Sequence, residues 1–141
     1  MSDVAYIALD PGGTTGYATF EENGTLIDMT YYNLETIRTA FLEDFQPVLI
    51  AVICENWRLM PQMAKHFYHS DMPTCKLIGW LEGTCDTMAI QFHLQEPAIK
   101  SSAYKWAGKT PLPKSNPMNH AMDAYVHGYY WLMKNGVIVP K

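Results

Sequence analysis

Two runs of this chain consist of apolar residues alone, and each stops at one carboxylate: residues 4–9 end at Asp10, and residues 48–54 end at Glu55. A strand with no polar residue on either face must be covered on both, as a central strand is between two layers of helix. Between the runs, Asn33 can cap a helix whose Leu34, Ile37, Phe41 and Phe45 recur at helical spacing, and Pro47 ends it. A strand, a helix and a strand in that order form a crossover that sets the two strands side by side and parallel. Asp10 and Glu55 then leave the sheet at one edge, the edge where open sheets bind ligands. Either acid alone has an ordinary role, Asp10 as a turn residue before Pro11 and Glu55 as a solvated strand end. Their coincidence points to a site.

The remaining segments fit around that pair. Residues 10–16 are dense in turn formers, residues 17–20 read as a second strand, and residues 25–32 as a third after the tight turn Glu22-Asn23-Gly24. These strands form an antiparallel meander. Residues 57–72 show no period and read as a long loop rich in Met, aromatics and His. Pro73 opens a helix with Leu77, Ile78, Leu81, Cys85 and Met88 on one face, and residues 89–95 alternate with Ile90, Phe92 and Leu94 inward. Residues 97–117 are loop-like and basic, and residues 119–134 make a last helix with Gly136 near its end. The expectation is an α/β chain with a mixed five-stranded sheet, three antiparallel strands then parallel strands, flanked by helices. At 141 residues it forms one domain, 1–141.

The last helix carries a third part of the site. His120, Asp123 and His127 are spaced i, i+3, i+7 and share one stripe, with Met122, Val126, Tyr129 and Met133 opposite as the core stripe. Solvent exposure is the preferred reading of His127. Asp123 and His120 are read as ligands, because a hard cation needs donors converging from several elements. Three or four such groups cannot all ionise together without a compensating cation, which implicates a divalent metal, Mg²⁺ with Mn²⁺ as its substitute. Two ions about 3.5–4 Å apart can activate a water and stabilise the leaving oxygen of an in-line phosphodiester displacement. Cys54, Cys75 and Cys85 lie apart from these ligands and show no Cys-x-x-Cys spacing, which disfavours zinc and a disulfide framework.

A net charge of -4, with 10 Lys and Arg against 14 Asp and Glu, is the wrong sign for a protein that simply coats nucleic acid. The average hides a basic stretch. Between Pro97 and Met122 there is no acid, while Lys100, Lys105, Lys109 and Lys114 all fall there. With 48% hydrophobic and 17% charged residues the chain should fold, and no apolar run is long enough to span a bilayer. The Met-Ser-Asp start lacks a basic region and an apolar run, so a cytoplasmic location is expected, in a bacterium or a phage-infected cell.

Three motifs in order resemble the RuvC-type Holliday-junction resolvases of the ribonuclease H-like superfamily. They are Ala8-Leu9-Asp10-Pro11-Gly12 continuing to Thr15-Gly16-Tyr17-Ala18, then Ile53-Cys54-Glu55, then His120-Ala121-Met122-Asp123-Ala124. Pro97-Ala98-Ile99-Lys100 is similar to the family's Pro-x-Val-Lys segment, whose lysine contacts DNA. The resemblance implies a metal-dependent nuclease that cleaves four-way junctions, with Asp10, Glu55, His120 and Asp123 as catalytic metal ligands and Lys100 on a phosphate. The segment between Lys100 and the last helix is short for a cellular resolvase, and this compact form resembles phage-encoded relatives. Trp57 lies near, but out of register with, the aromatic that the family wedges into the junction.

The same residues bear on other classes. The Asp10–Gly16 loop also resembles the phosphate loop of sugar kinases and Hsp70-like ATPases, but those need two lobes, and no Gly-x-x-x-x-Gly-Lys-Ser/Thr loop is present, so no nucleotide cofactor is expected. A YqgF-type RNA-processing nuclease of the same fold is an alternative, as is a non-catalytic module that binds branched DNA. A scaffold unrelated to nucleic acid would leave the acid-free lysine segment without a role. Trp57 and Arg58 suit stacking on exposed bases beside a phosphate as well as they suit packing, whereas packing is preferred for Met60 and Met63. Lys105, Trp106 and Lys109 fit a phosphate-and-stacking surface, or a solvated loop. Two opposed cuts in a four-way junction call for a two-fold homodimer, whose interface Trp80, Met60, Met63, Tyr130 and Trp131 could supply unless they form a second core layer.

Overall fold

The computed structural model describes residues 3–56 and 73–139. Ten elements follow one another: β1 (Tyr6–Asp10), β2 (Thr14–Phe20), β3 (Leu26–Asn33), α1 (Ile37–Glu43), β4 (Ala51–Glu55), α2 (Pro73–Thr87), β5 (Gln91–Gln95), a 3-10 turn (Pro97–Ile99), α3 (Lys100–Ala107) and α4 (Met118–Lys134). The strands form one sheet in the order β3-β2-β1-β4-β5. β1 pairs antiparallel with β2 and parallel with β4, and β4 pairs parallel with β5. This is the mixed five-stranded α/β sheet that the apolar runs and the meander imply.

The two apolar runs become the centre of the sheet because both their faces are covered. Ile7, Leu9, Val52 and Cys54 meet Phe41 of α1 and Leu77, Leu81 and Cys85 of α2 on one face. Tyr6, Ala8, Ala51 and Ile53 meet Ala124 and Leu132 of α4 on the other, together with Phe20. Each fully buried Leu, Ile or Phe contributes about 1.5–3 kcal/mol, so these two layers dominate stability. Trp80 packs on Phe41 and Trp131 on Tyr6, each with ring centroids 5.8 Å apart, so both act as a second core layer. Met60 and Met63 lie outside the described residues.

Several sequence expectations need correction. β2 begins at Thr14, so residues 14–16 belong to the strand and only residues 11–13 turn. Asn33 closes β3 instead of capping α1 directly. Its Oδ1 accepts from the N–H groups of Glu35 and Thr36, at 3.0 and 2.9 Å, and so organises the turn that leads to Ile37. Met88 lies beyond the end of α2 and is exposed, and Leu94 on the edge strand β5 is exposed as well.

The stretch read as a basic loop contains α3. Only Ala103 and Tyr104 of it are buried, too few to register as a period. Pro97 at the start and Gly108 at the end, with φ +66°, were the legible signals. In α4 the buried side is Ala121, Ala124, Val126, His127, Gly128 and Leu132, so of the expected stripe Met122, Val126, Tyr129 and Met133 only Val126 is fully buried. Small residues win that face because the helix lies close on the sheet: a Cβ at Gly128 would stand 2.6 Å from Phe20 and 2.9 Å from Ala8. Among the described residues no helix is long and apolar enough to cross a membrane.

Candidate active site

Parallel pairing of Leu9 with Cys54 sets the next residues, Asp10 and Glu55, side by side where β1 and β4 end. Glu55 is only 8% exposed, and it stands close enough to Asp10 for its charge to raise the Asp10 pKa. The 3-10 turn after β5 delivers Lys100 to the same place. Its Nζ stands 3.4 Å from Glu55 Oε1 and 3.2 Å from Asp123 Oδ2. One helical turn beyond Lys100, the hydroxyl of Tyr104 donates to Asp123 Oδ1. One turn beyond Asp123, His127 is wholly buried with its Nε2 3.4 Å from Glu55 Oε2.

Charge in this cluster is incompletely balanced. Burial pushes the Asp10 carboxyl up to about 9, helped by the hydrogen bond and charge of Glu55 and by Asp123, against the lowering effect of Lys100. Near pH 7 the Asp10 carboxyl is therefore held protonated. Burial disfavours the Lys100 ammonium, yet Asp10, Glu55 and Asp123 together outweigh it and raise its pKa. Burial lowers His127, so its ring is neutral near pH 7. Burial, then Asp123, raises Tyr104 and keeps its hydroxyl a donor. Three acidic side chains thus gather around the one ammonium of Lys100.

The raised Asp10 pKa fixes a pH dependence. Unfolded, Asp10 titrates in the ordinary aspartate range, so between that range and about 9 the folded chain binds more protons than the unfolded one. Stability then falls as pH rises through that window. Without divalent ions, Asp10→Asn should flatten the decline of Tm between pH 5 and pH 9, measured by thermal unfolding. An equally steep decline in the variant would mean that Asp10 is not the strained group.

Of the residues picked from sequence, the structure brings together Asp10, Glu55 and Asp123 and adds Lys100 to them. It does not join His120. That side chain is half-buried one turn before Asp123 and has no hydrogen bond or ion pair to the carboxylates among the described residues, while its backbone carbonyl faces Gly16. Lys105 and Lys109 are exposed. Trp57 and Arg58 lie outside the described residues. Trp106 is 41% exposed, stacked on Tyr130 at 4.8 Å with the Lys134 ammonium 5.3 Å from its ring centroid. Beside the acids opens a cleft of about 630 Å³ whose lining includes Lys100, Ser101, Tyr104, Lys114, Asn119 and Asp123.

Tyr104, His127 and Gln95 were not found by sequence reasoning. Tyr104 shares a face with Lys100 only once that segment is known to be helical. His127 stood on the right stripe, but the solvent-exposed reading preferred for it is wrong, because α4 turns that side onto β4 and β5. Gln95 Nε2 donates to the His127 carbonyl at 2.8 Å and lies 3.5 Å from its Nδ1.

The expected ligand set is not ready-made. Among the described residues no group of three or more His, Cys, Asp or Glu side chains is drawn together to hold a metal ion. Lys100 occupies that place instead, its ammonium standing between Glu55 and Asp123. The donor chemistry still suits a hard cation, being carboxylate oxygen from three elements with Glu55 Oε2 lacking a hydrogen-bond partner.

The sheet order and helix placement define an α/β fold of the ribonuclease H-like class, in the form found in RuvC-type resolvases. No protein-family model matches the sequence, and no curated protein does. Among solved structures the chain is similar to T. thermophilus RuvC in complex with Holliday junction substrate, with TM-score 0.61 and 13% identity over 96% of this chain and 99% of that one. It is similar to the fowlpox virus Holliday junction resolvase, with TM-score 0.57 and 13% identity over 92% and 98% of the two chains. The fowlpox virus resolvase with substrate Holliday junction DNA gives TM-score 0.54 and 14% identity over 92% and 95%. At such identities the likeness is one of fold.

Proposed function

We propose that this chain is a single-domain, metal-dependent endodeoxyribonuclease that cuts branched DNA, with the four-way junction as preferred substrate. The observation that carries this is the convergence of Asp10, Glu55 and Asp123 on Lys100 at the strand ends of a resolvase-like fold. Asp10, Glu55 and Asp123 would hold Mg²⁺, with Mn²⁺ as substitute, which when bound supplies a nucleophilic water and charge for the leaving oxygen. Lys100 sets a positive charge among the acids and, lining the cleft, would donate to a phosphate oxygen that enters it. Tyr104 holds Asp123 in orientation through its hydroxyl. Lys114 and Asn119 line the way in for a strand.

The deciding experiment offers a four-way junction, linear duplex, an RNA hairpin and ATP to the purified chain, each with and without Mg²⁺. Paired, nearly symmetric nicks in the junction, dependent on Mg²⁺ and made by a homodimer in sedimentation, are expected. A strict monomer that cleaves the hairpin better than the junction would replace this proposal with the RNA-processing alternative.

Binding should be electrostatic despite the net negative charge. Exposed Lys105 and Lys109 are proposed to meet phosphates, so log affinity should fall against log salt by about 0.9 for each phosphate neutralised. Replacing both by Gln should flatten the slope by up to about 1.8. An unchanged slope would mean that the end of α3 does not touch DNA.

A further inference from the structure

Glu55 is gripped visibly on one side only. Its Oε1 faces the Lys100 ammonium at 3.4 Å. Its Oε2 is buried and faces the Nε2 of His127, also at 3.4 Å, and these two are buried side-chain atoms that lack a hydrogen-bond partner among the described residues. Buried polar groups are seldom left unpaired, so two such atoms set against each other point to one shared cause.

We propose that His127, oriented by Gln95, is a positioning residue whose Nε2–H donates to Glu55 Oε2 and fixes the carboxylate with Oε1 toward the cleft. This rests on the proposal above that Glu55 is a metal ligand. Gln95 favours one ring nitrogen as the carrier of the proton. Its Nε2 donates to the His127 carbonyl at 2.8 Å, and the same amide lies 3.5 Å from Nδ1. A donor at Nδ1 makes that atom the acceptor, so a neutral ring carries its proton on Nε2, the atom facing Glu55. The ring is wholly buried, which denies it other partners and other rotamers. A contact of 3.4 Å is longer than a working hydrogen bond, but contacts in such sites shorten once the carboxylate is engaged. Outer-shell donors of this kind are worth about 10- to 100-fold in metal affinity.

The test is calorimetric titration of Mn²⁺ into the full chain, alongside thermal unfolding of each variant. His127→Leu should weaken Mn²⁺ binding about 10- to 100-fold and lower Tm as well, because buried Glu55 Oε2 then loses its donor. His127→Gln should restore most of the affinity, because its amide Nε2 can reach the same oxygen. Gln95→Leu should fall between them. Native Mn²⁺ affinity in His127→Leu, in a chain whose Asp123→Asn control has lost it, would overturn the positioning role and leave the metal site standing. No saturable Mn²⁺ binding by the native chain would overturn both. Should His127→Leu fail to fold, Gln95→Leu decides: weakened binding supports the proposal and native affinity overturns it.

Discussion

Asp10→Asn, Glu55→Gln and Asp123→Asn should each lower junction cleavage by at least about a thousandfold, or about 4 kcal/mol of transition-state stabilisation. Each variant should still bind the junction. The three carboxylates stand at the ends of β1 and β4 and in the first half of α4, so each removes one oxygen donor without opening the core. Glu55→Gln and Asp123→Asn also remove charge beside Asp10, while Asp10→Asn replaces a carboxyl that burial already keeps protonated, so folding should be unharmed. In Asp10→Asn the amide can donate to Glu55 in place of the protonated carboxyl. DNA affinity should stay level or rise, because a phosphate then meets one less like charge. His120→Ala should be far milder, since that side chain is not joined to the cluster. Cleavage rate, junction binding and Tm measured on the same preparations separate the cases. A native rate in any two of the three carboxylate variants would remove this site from consideration.

How much was legible follows from what each signal measures. The strands were legible because β1 and β4 are buried on both faces, and only a strand covered on both sides tolerates a run without polar residues. The acids were legible because the crossover forces parallel pairing, so two strand ends become one place. Hydropathy misplaced the face of α4 because it ranks residues by size and greasiness, whereas contact with the sheet selects Ala121, Ala124 and Gly128 for closeness. That error hid His127, which shares the close face. The helix α3 was hidden for a different reason: eight residues with two buried side chains carry too little pattern. Lys100 was read as a phosphate contact, and a basic residue in an acid-free stretch gave no sign that its ammonium would lie between Glu55 and Asp123. Only the fold puts those elements together.

Gly16→Ala should cost about 3 kcal/mol or more, the upper part of the overpacking range, and lower Tm by about 10 °C. Gly16 sits in β2 with ordinary strand geometry, so its role is room and not a special backbone angle. A Cβ there would overlap the carbonyl carbon and oxygen of His120 and stand 3.1 Å from the backbone nitrogen of Ala121. Backbone cannot swing aside as a side chain can, so the first turn of α4 must lift off the sheet. Asp123 lies one turn further along that helix, and cleavage should fall together with stability. Gly128→Ala tests the same seating deeper in the helix. There the added carbon meets side-chain atoms of Phe20 at 2.6 Å and Ala8 at 2.9 Å, which can yield in part, so a loss of about 1–3 kcal/mol is expected. Gly79→Ala and Gly83→Ala in α2 are the controls. Nothing stands within 4 Å of either added carbon, and a helix gains about 0.5–1 kcal/mol from the exchange. Thermal unfolding of the four variants should therefore rank Gly16 lowest, then Gly128, with the α2 pair at or above the native Tm. Gly16→Ala unfolding like the native chain would mean that α4 does not seat on β2, and that Asp123 does not reach the carboxylates of β1 and β4.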